Sequence, residues 1–220
     1  MQRGNRIAHL AVVFILLGVI LGCSQESNRF KGVYMLLDTS GTYATELKKA
    51  KAIISYLLGT LQPGDTLAVG RIDTGSFSEK DIVAKVTFDD RPSMANTQKR
   101  GFQKTVDSFV ASLKRSSYTD ISGGILQAIE YLNESGAGRK YILIFSDLQE
   151  ELAEGHVRDV PFQLTDFSVI ALNVTKLRDD IRDPKVYMHR VEQWQTKIEE
   201  GNGTWRVIND LERLDNIFSK

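Results

Sequence analysis

Residues 32–37 form an unbroken apolar run that ends at Asp38, and residues 140–145 hold a second such run that begins after Lys140 and ends close to Asp147. An apolar run with no polar alternation predicts a strand buried on both faces, the pattern of a central parallel strand. Between them the period changes. In residues 43–59, Ala44, Leu47, Ala50, Ile53, Ile54, Leu57 and Leu58 recur every three or four positions, which predicts an amphipathic helix with Gly59 as its C-cap. Residues 65–72 read as a second strand, and the alternation Ile82, Ala84, Val86, Phe88 predicts a third, antiparallel one. Phe102, Val106, Phe109, Val110 and Leu113 mark a helix, and Ile121, Ile125, Ile129 and Leu132 mark the next, with Asp120 or Ser122 near its start. Residues 167–174 and 205–208 read as strands, and residues 183–200 and 210–219 as helices. Such alternation predicts an α/β fold, doubly wound, with a mostly parallel central sheet flanked by helices.

The first 22 residues do not fit this pattern. Arg3 and Arg6 precede a 15-residue apolar stretch, residues 7–21, broken only by His9 and Gly18. A membrane-spanning helix needs about 20 apolar residues. A basic start, a short apolar run and a small residue at its end describe an export signal instead. The run closes Leu21-Gly22-Cys23, which resembles the bacterial lipobox. That resemblance implies cleavage before Cys23 and lipidation of its thiol. Cys23 is the one cysteine in the chain, so no internal disulfide competes for it. The expected organisation is a signal peptide at 1–22, a lipidated Cys23 with a short tether to residue 29, and one domain at 30–220. The expected location is the cell envelope, with the outer membrane favoured by Ser24 if the source is Gram-negative.

With 28 basic and 28 acidic residues over 220, the chain has no global field to draw nucleic acid. Losing Arg3 and Arg6 leaves 26 basic and 28 acidic groups, and a mildly acidic body predicts no affinity for anionic lipid or DNA. The membrane contact expected here is the N-terminal lipid alone.

In open α/β sheets, ligands bind beyond the carboxyl ends of the strands, where Asp38 and Asp147 fall. Asp38-Thr39-Ser40-Gly41-Thr42 places two hydroxyls, Ser40 and Thr42, two residues apart beside the acid. A third segment, Thr119-Asp120-Ile121-Ser122-Gly123-Gly124, offers Thr119 at a helix start. Two carboxylates and three hydroxyls make an all-oxygen set of the kind that hard divalent cations prefer. The plain reading is that Asp38 and Asp147 cap turns and that Thr119 is an N-cap.

These three elements, in this order, resemble the von Willebrand factor A domain with its metal-ion-dependent adhesion site, whose pattern is Asp-x-Ser-x-Ser, a Thr before a later helix, and an Asp after the next buried strand. The resemblance spans about residues 30–220 and implies a Rossmann-like sheet. It implies metal ligands at Asp38, Ser40, Thr42, Thr119 and Asp147, the hydroxyls direct and the acids largely through water. The implied ion is Mg²⁺ or Mn²⁺, with Ca²⁺ a further candidate. The implied partner is an envelope protein whose carboxylate completes the coordination, without catalysis. Two departures stand out: Thr42 where the family has Ser, and Leu148 where many members have Gly.

Other constellations are weaker. Asp73-Thr74-Gly75 copies the aspartic-protease tripeptide, but that chemistry needs paired carboxylates on an all-β fold. A haloacid-dehalogenase phosphatase would use Asp38 but needs a second acid where Ser40 stands. His156 and His189 lack zinc spacing, and no Walker loop occurs. Trp194 and Trp205 read as core or rim aromatics. Glu150, Glu151 and Glu154 read as a solvated loop, or as groups that tune the site. An Asp38-dependent phosphohydrolase and a metal-independent structural envelope domain remain the alternatives to metal-dependent protein binding.

Overall fold

The computed structural model describes residues 29–41, 43, 46–73, 75, 77–113, 116–155 and 157–219. Six strands form one sheet in the order β3-β2-β1-β4-β5-β6: β1 (Lys31–Asp38), β2 (Thr66–Ile72), β3 (Ile82–Thr87), β4 (Arg139–Phe145), β5 (Phe167–Leu172) and β6 (Thr204–Ile208). All neighbours run parallel except β2 and β3. The chain moves outward from β1 to β3, then returns across β1 to start β4. The strand order therefore reverses between β1 and β4, and a crevice opens there beyond the strand ends.

β1 explains why the sheet needs a layer on each face. Val33, Met35 and Leu37 enter one core cluster, Tyr34 and Leu36 the other, and all five are fully buried. The first cluster lies under α1 (Leu47–Thr60) and α2 (Pro92–Ala111), the second under α3 (Ile121–Glu134) and α5 (Pro184–Glu200). A short helix, α4 (Arg178–Arg182), precedes α5. Gly124 lets α3 sit close to the sheet, since a Cβ there would fall 2.9 Å from Leu36 Cδ2. Among the described residues, no helix is long and apolar enough to cross a membrane.

The expected elements are present, with shifted ends. α1 starts at Leu47 rather than at residue 43, because Tyr43 is used elsewhere: its hydroxyl donates to the Asn173 carbonyl at 2.6 Å and its ring meets Phe145 edge-on. Gly59 is not the C-cap; α1 runs through it to Thr60, and Leu61 closes the helix in extended conformation. β5 stops at Leu172 because Asn173 turns left-handed, with φ 53°. The helix expected at 210–219 is a 3₁₀ segment, Leu211–Ile217, broken by non-helical backbone at Arg213. α2 begins ten residues before Phe102, with Pro92 in its first turn, a position that tolerates the missing N–H.

Candidate functional site

β1 delivers Asp38 to the crevice with no solvent exposure. Its Oδ1 accepts from the Ser40 backbone N–H at 2.8 Å and its Oδ2 from the Ser146 hydroxyl at 2.6 Å. Burial raises its pKa above the ordinary carboxylate value, and the hydrogen bonds from Ser146 and Ser40 oppose that rise. Thr39 turns the other way and donates from Oγ1 to the Ile72 carbonyl at 2.8 Å, which pins the segment to the end of β2. Ser40 then forms a parallel bridge with Ser116, closed by Ser116 N–H to the Thr39 carbonyl at 3.0 Å and Gly41 N–H to the Ser116 carbonyl at 3.2 Å.

Thr119 arrives from the segment before α3. Two backbone hydrogen bonds with Glu151, of 2.8 and 3.0 Å, hold it against the loop that follows β4. It is not the cap of α3. Asp120 takes that place, accepting from the Gly123 N–H at 2.8 Å, and is itself clamped by the Arg158 guanidinium, 2.7 Å from Nη2 to Oδ2. The Thr119 hydroxyl has no hydrogen bond among the described residues, though the residue is only 4% exposed. An ordinary N-cap threonine would spend its hydroxyl on the helix.

Asp147 lies two residues past β4 and is 3% exposed. Oδ1 accepts from the Gln149 N–H at 2.9 Å, and Oδ2 has no donor among the described residues. Burial pushes its pKa up to about 6; the Gln149 hydrogen bond and the Arg190 charge pull down, while Asp38 and Glu151 push up. The Arg190 Nε donates to the Asp147 carbonyl at 2.9 Å, and its terminal nitrogens grip Asp180 at 2.6 and 3.2 Å. Leu148, the position where the resembling family has Gly, has φ 66° and is 1% exposed. That left-handed backbone is what a glycine supplies freely and a leucine adopts under strain.

Ser40, Thr119 and Asp147 line one cavity of about 440 Å³, together with Gly41, Ser116, Ser117, Gln149, Glu151 and Leu177. Asp38 stands directly behind, tied to Ser40. Of the five expected site residues, these four are gathered at one rim; Thr42 lies outside the described residues, as does Cys23. Among the described residues no group of three or more His, Cys, Asp and Glu side chains converges. A cation here would therefore depend on the hydroxyls as well as on two acids. The donor set suits one: Asp147 Oδ2 and the Thr119 hydroxyl, neither with a hydrogen-bond partner among the described residues, belong to residues that line the same cavity as Ser40.

Several contributors escaped the sequence reading. Ser146 bridges Asp38 and the Leu148 N–H, which it accepts at 3.0 Å. Asn173 accepts from Tyr43 and donates back to it at 2.8 Å, anchoring the segment that follows Ser40 to the end of β5. Arg190 is 43 residues from Asp147 and carried no local signal. The acidic run after Asp147 is not simply solvated. Glu150 accepts from the Ser122 N–H at 2.7 Å and its hydroxyl at 3.1 Å, and Glu151 lines the cavity. Trp194 is a core aromatic as expected, 4% exposed, with its Nε1 donating to the Leu148 carbonyl at 3.0 Å. His189 is exposed.

No protein-family model matches the chain, and no curated protein matches it in sequence. Solved structures do match in shape. One is a von Willebrand factor type A protein from Catenulispora acidiphila, 14% identical, with 85% of this chain and 40% of that one covered and a TM-score of 0.55. Another is the pilus adhesin SpaC from Lactobacillus rhamnosus GG in its open conformation, 12% identical, with 85% and 29% covered and a TM-score of 0.51. The chain spans less than half the length of either. At these identities the likeness speaks to architecture, and it agrees with the sheet order, the two helical layers and the α/β class. The chain carries a domain with the von Willebrand factor type A fold.

Proposed function

We propose that this protein binds a protein partner through a divalent cation held at the rim of its sheet, with a carboxylate of the partner completing the coordination. Ser40, Thr42 and Thr119 would supply hydroxyl oxygens, and Asp38 and Asp147 the charge, largely through water. The cation is Mg²⁺ or Mn²⁺, with Ca²⁺ as a further candidate. When bound, it supplies Lewis acidity toward an incoming carboxylate. The chain's own residues orient the oxygens and exclude bulk water from Asp38. The domain is tethered to a bacterial envelope membrane by lipid on Cys23.

One observation carries the reading. Three chain segments, separated by up to 107 residues, bring Ser40, Thr119 and Asp147 to a single cavity, where the Thr119 hydroxyl and Asp147 Oδ2 have no hydrogen-bond partner among the described residues. The pilus adhesin among the shape matches is consistent with a binding role at a cell surface. The phosphohydrolase alternative is disfavoured on geometry, because Asp38 is fully buried and both its oxygens already hold donors. Nothing in the reading requires catalysis.

The test is calorimetric titration of Mg²⁺ and Mn²⁺ into the protein and its Thr119→Val variant, which keeps the shape and deletes the hydroxyl. Heat of binding in the parent, weakened at least tenfold in the variant, is the expected result. Equal titrations in both would refute the site. Partner capture from envelope extract that is unchanged by EDTA would instead favour the metal-independent structural domain.

A further inference from the structure

The balanced total charge hides an uneven distribution over the helices, although the 3₁₀ segment Leu211–Ile217, which packs into the same core cluster as α1, adds Glu212 and Asp215 against Arg213. α1 carries Lys48, Lys49 and Lys51 and no acid; α2 carries Lys99, Arg100 and Lys104 with Asp107 as its one acid. The opposite layer is different: α3 carries Glu130 and Glu134 and no cation, and in α5 three cations are matched by three acids. α1 and α2 share one core cluster and touch through Ser55–Gln103 at 3.1 Å and Lys51–Asp107 at 2.7 Å, so their six cations share one surface. Four of the six are engaged, Arg100 only by donating to the Thr97 hydroxyl at 3.1 Å. Lys49 pairs with Glu46 at 2.6 Å, Lys51 with Asp107, and Lys99 donates to the Leu61 carbonyl at 2.6 Å. Lys48, Arg100 and Lys104 are exposed and have no acidic partner among the described residues.

The point where the chain enters the domain lies beside this layer. The Phe30 ring packs on Gly64, four residues past the end of α1, so tightly that a Cβ at Gly64 would lie 2.3 Å from it. Cys23 is six residues before Arg29, and six residues reach at most about 20 Å. A lipid on Cys23 would therefore hold the lower end of the α1/α2 layer within that distance of the bilayer, at high effective concentration.

We propose that the α1/α2 layer docks on anionic phospholipid headgroups, with Lys48, Arg100 and Lys104 as its contacts. The proposal rests on the lipid-anchor reading of Cys23. The cations are spread over two neighbouring helices rather than gathered round a cleft, which suits a plane of diffuse negative charge better than a point ligand. The acidic α3 on the far side is repelled by the same plane, so one orientation is selected. A mildly acidic total predicts no such contact; the uneven distribution of charge removes that objection, because attraction to a surface depends on the charges within a Debye length of it.

The test uses the full chain with vesicles of phosphatidylcholine alone and of phosphatidylcholine with about one-third phosphatidylglycerol. Lysine acylation is followed residue by residue by mass spectrometry. On the anionic vesicles, Lys48 and Lys104 should react about fivefold more slowly than on the neutral ones, the factor that one cation near such a surface contributes. Salt at about 0.5 M should restore the rate. Lys185, on α5, should react alike on both. In the Lys48→Glu/Arg100→Glu variant, whose changes are on exposed positions, Lys104 should lose its protection while the circular dichroism stays the same. Equal rates on the two vesicles, slowing that includes Lys185, or protection of Lys104 that survives in the variant would each overturn the proposal; equal rates would leave the layer to an acidic protein. Flotation reads the anchor separately. A chain that floats with anionic vesicles but not with neutral ones keeps the docking surface and loses the lipid anchor.

Discussion

Asp147→Asn should stabilise the metal-free protein at neutral pH, although it removes a residue from the heart of the proposed site. The magnitude follows from burial. The folded environment raises the Asp147 carboxyl from its ordinary 3.8 to about 6. One pKa unit corresponds to about 1.36 kcal/mol, so the ionised group weakens the fold by at most about 3 kcal/mol. The sign is that of a raised acid. The folded state holds the proton more tightly than the unfolded chain, so this contribution is full below pH 3.8 and is lost as pH rises through about 6. Asparagine carries no such penalty and keeps an oxygen for the Gln149 N–H. For a domain of this size, about 3 kcal/mol corresponds to roughly 6–12 °C in Tm. The assay is a thermal melt in EDTA at pH 7.5 and pH 4, repeated with Mg²⁺. The variant should melt higher at pH 7.5, and the gap should fall below about 1 kcal/mol at pH 4. Mg²⁺ should raise the parent only. An asparagine variant that melts below the parent at pH 7.5 in EDTA would refute the claim that Asp147 is held as an uncompensated charge.

Substitutions at three further positions probe the supports of the site. Arg190→Leu leaves Asp180, whose side chain is fully buried, without its ion partner, and should lower stability by about 3–5 kcal/mol in urea unfolding. Ser146→Ala takes the 2.6 Å donor from Asp38; a loss of about 1–3 kcal/mol is expected by the same method, with weaker Mg²⁺ binding by calorimetry. Leu148→Gly relieves about 1–2 kcal/mol of left-handed strain but deletes a buried side chain worth about 1.5–3 kcal/mol. Its melt should therefore shift by no more than about 2 kcal/mol, and Leu148→Val, which keeps the left-handed backbone and loses one methylene, should cost about 1 kcal/mol.

The central strands were legible because burial on both faces leaves no polar residue in their middles: residues 32–37 of β1 and 141–145 of β4 read as uninterrupted apolar runs, and each leads to an acid at the rim. The antiparallel β3 was legible for the opposite reason, since an edge strand alternates. Helix ends were read less well. Tyr43 fits the helical period of α1 but is claimed by Asn173, and nothing local announces a hydrogen bond across 130 residues. The amino-terminal half of α2 was missed because only Ala95 is buried before Phe102, so the apolar period is too sparse there. At the site, Asp38, Ser40, Thr119 and Asp147 could be proposed because each stands at a strand end or a helix start. Arg190 and Glu150 could not, because a charged residue on a polar helix or in an acidic run looks the same whether it faces water or a buried carbonyl. Composition is silent on how charge is distributed, since a sum over the chain erases the contrast between α1/α2 and α3.

The pairing of β1 with β4 has a consequence for how the protein comes to be ready for use. The two strands that aim Asp38 and Asp147 at one point are joined only after a stretch of 100 residues has been threaded through β2, β3 and three α-helices. A growing or clipped chain that stops short of β4 lacks Asp147 and the strand that would position it beside Asp38. In the proposed reading, an ion would bind only to a finished sheet and by mass action would then stabilise it. Ion uptake would thus act as a check on completion.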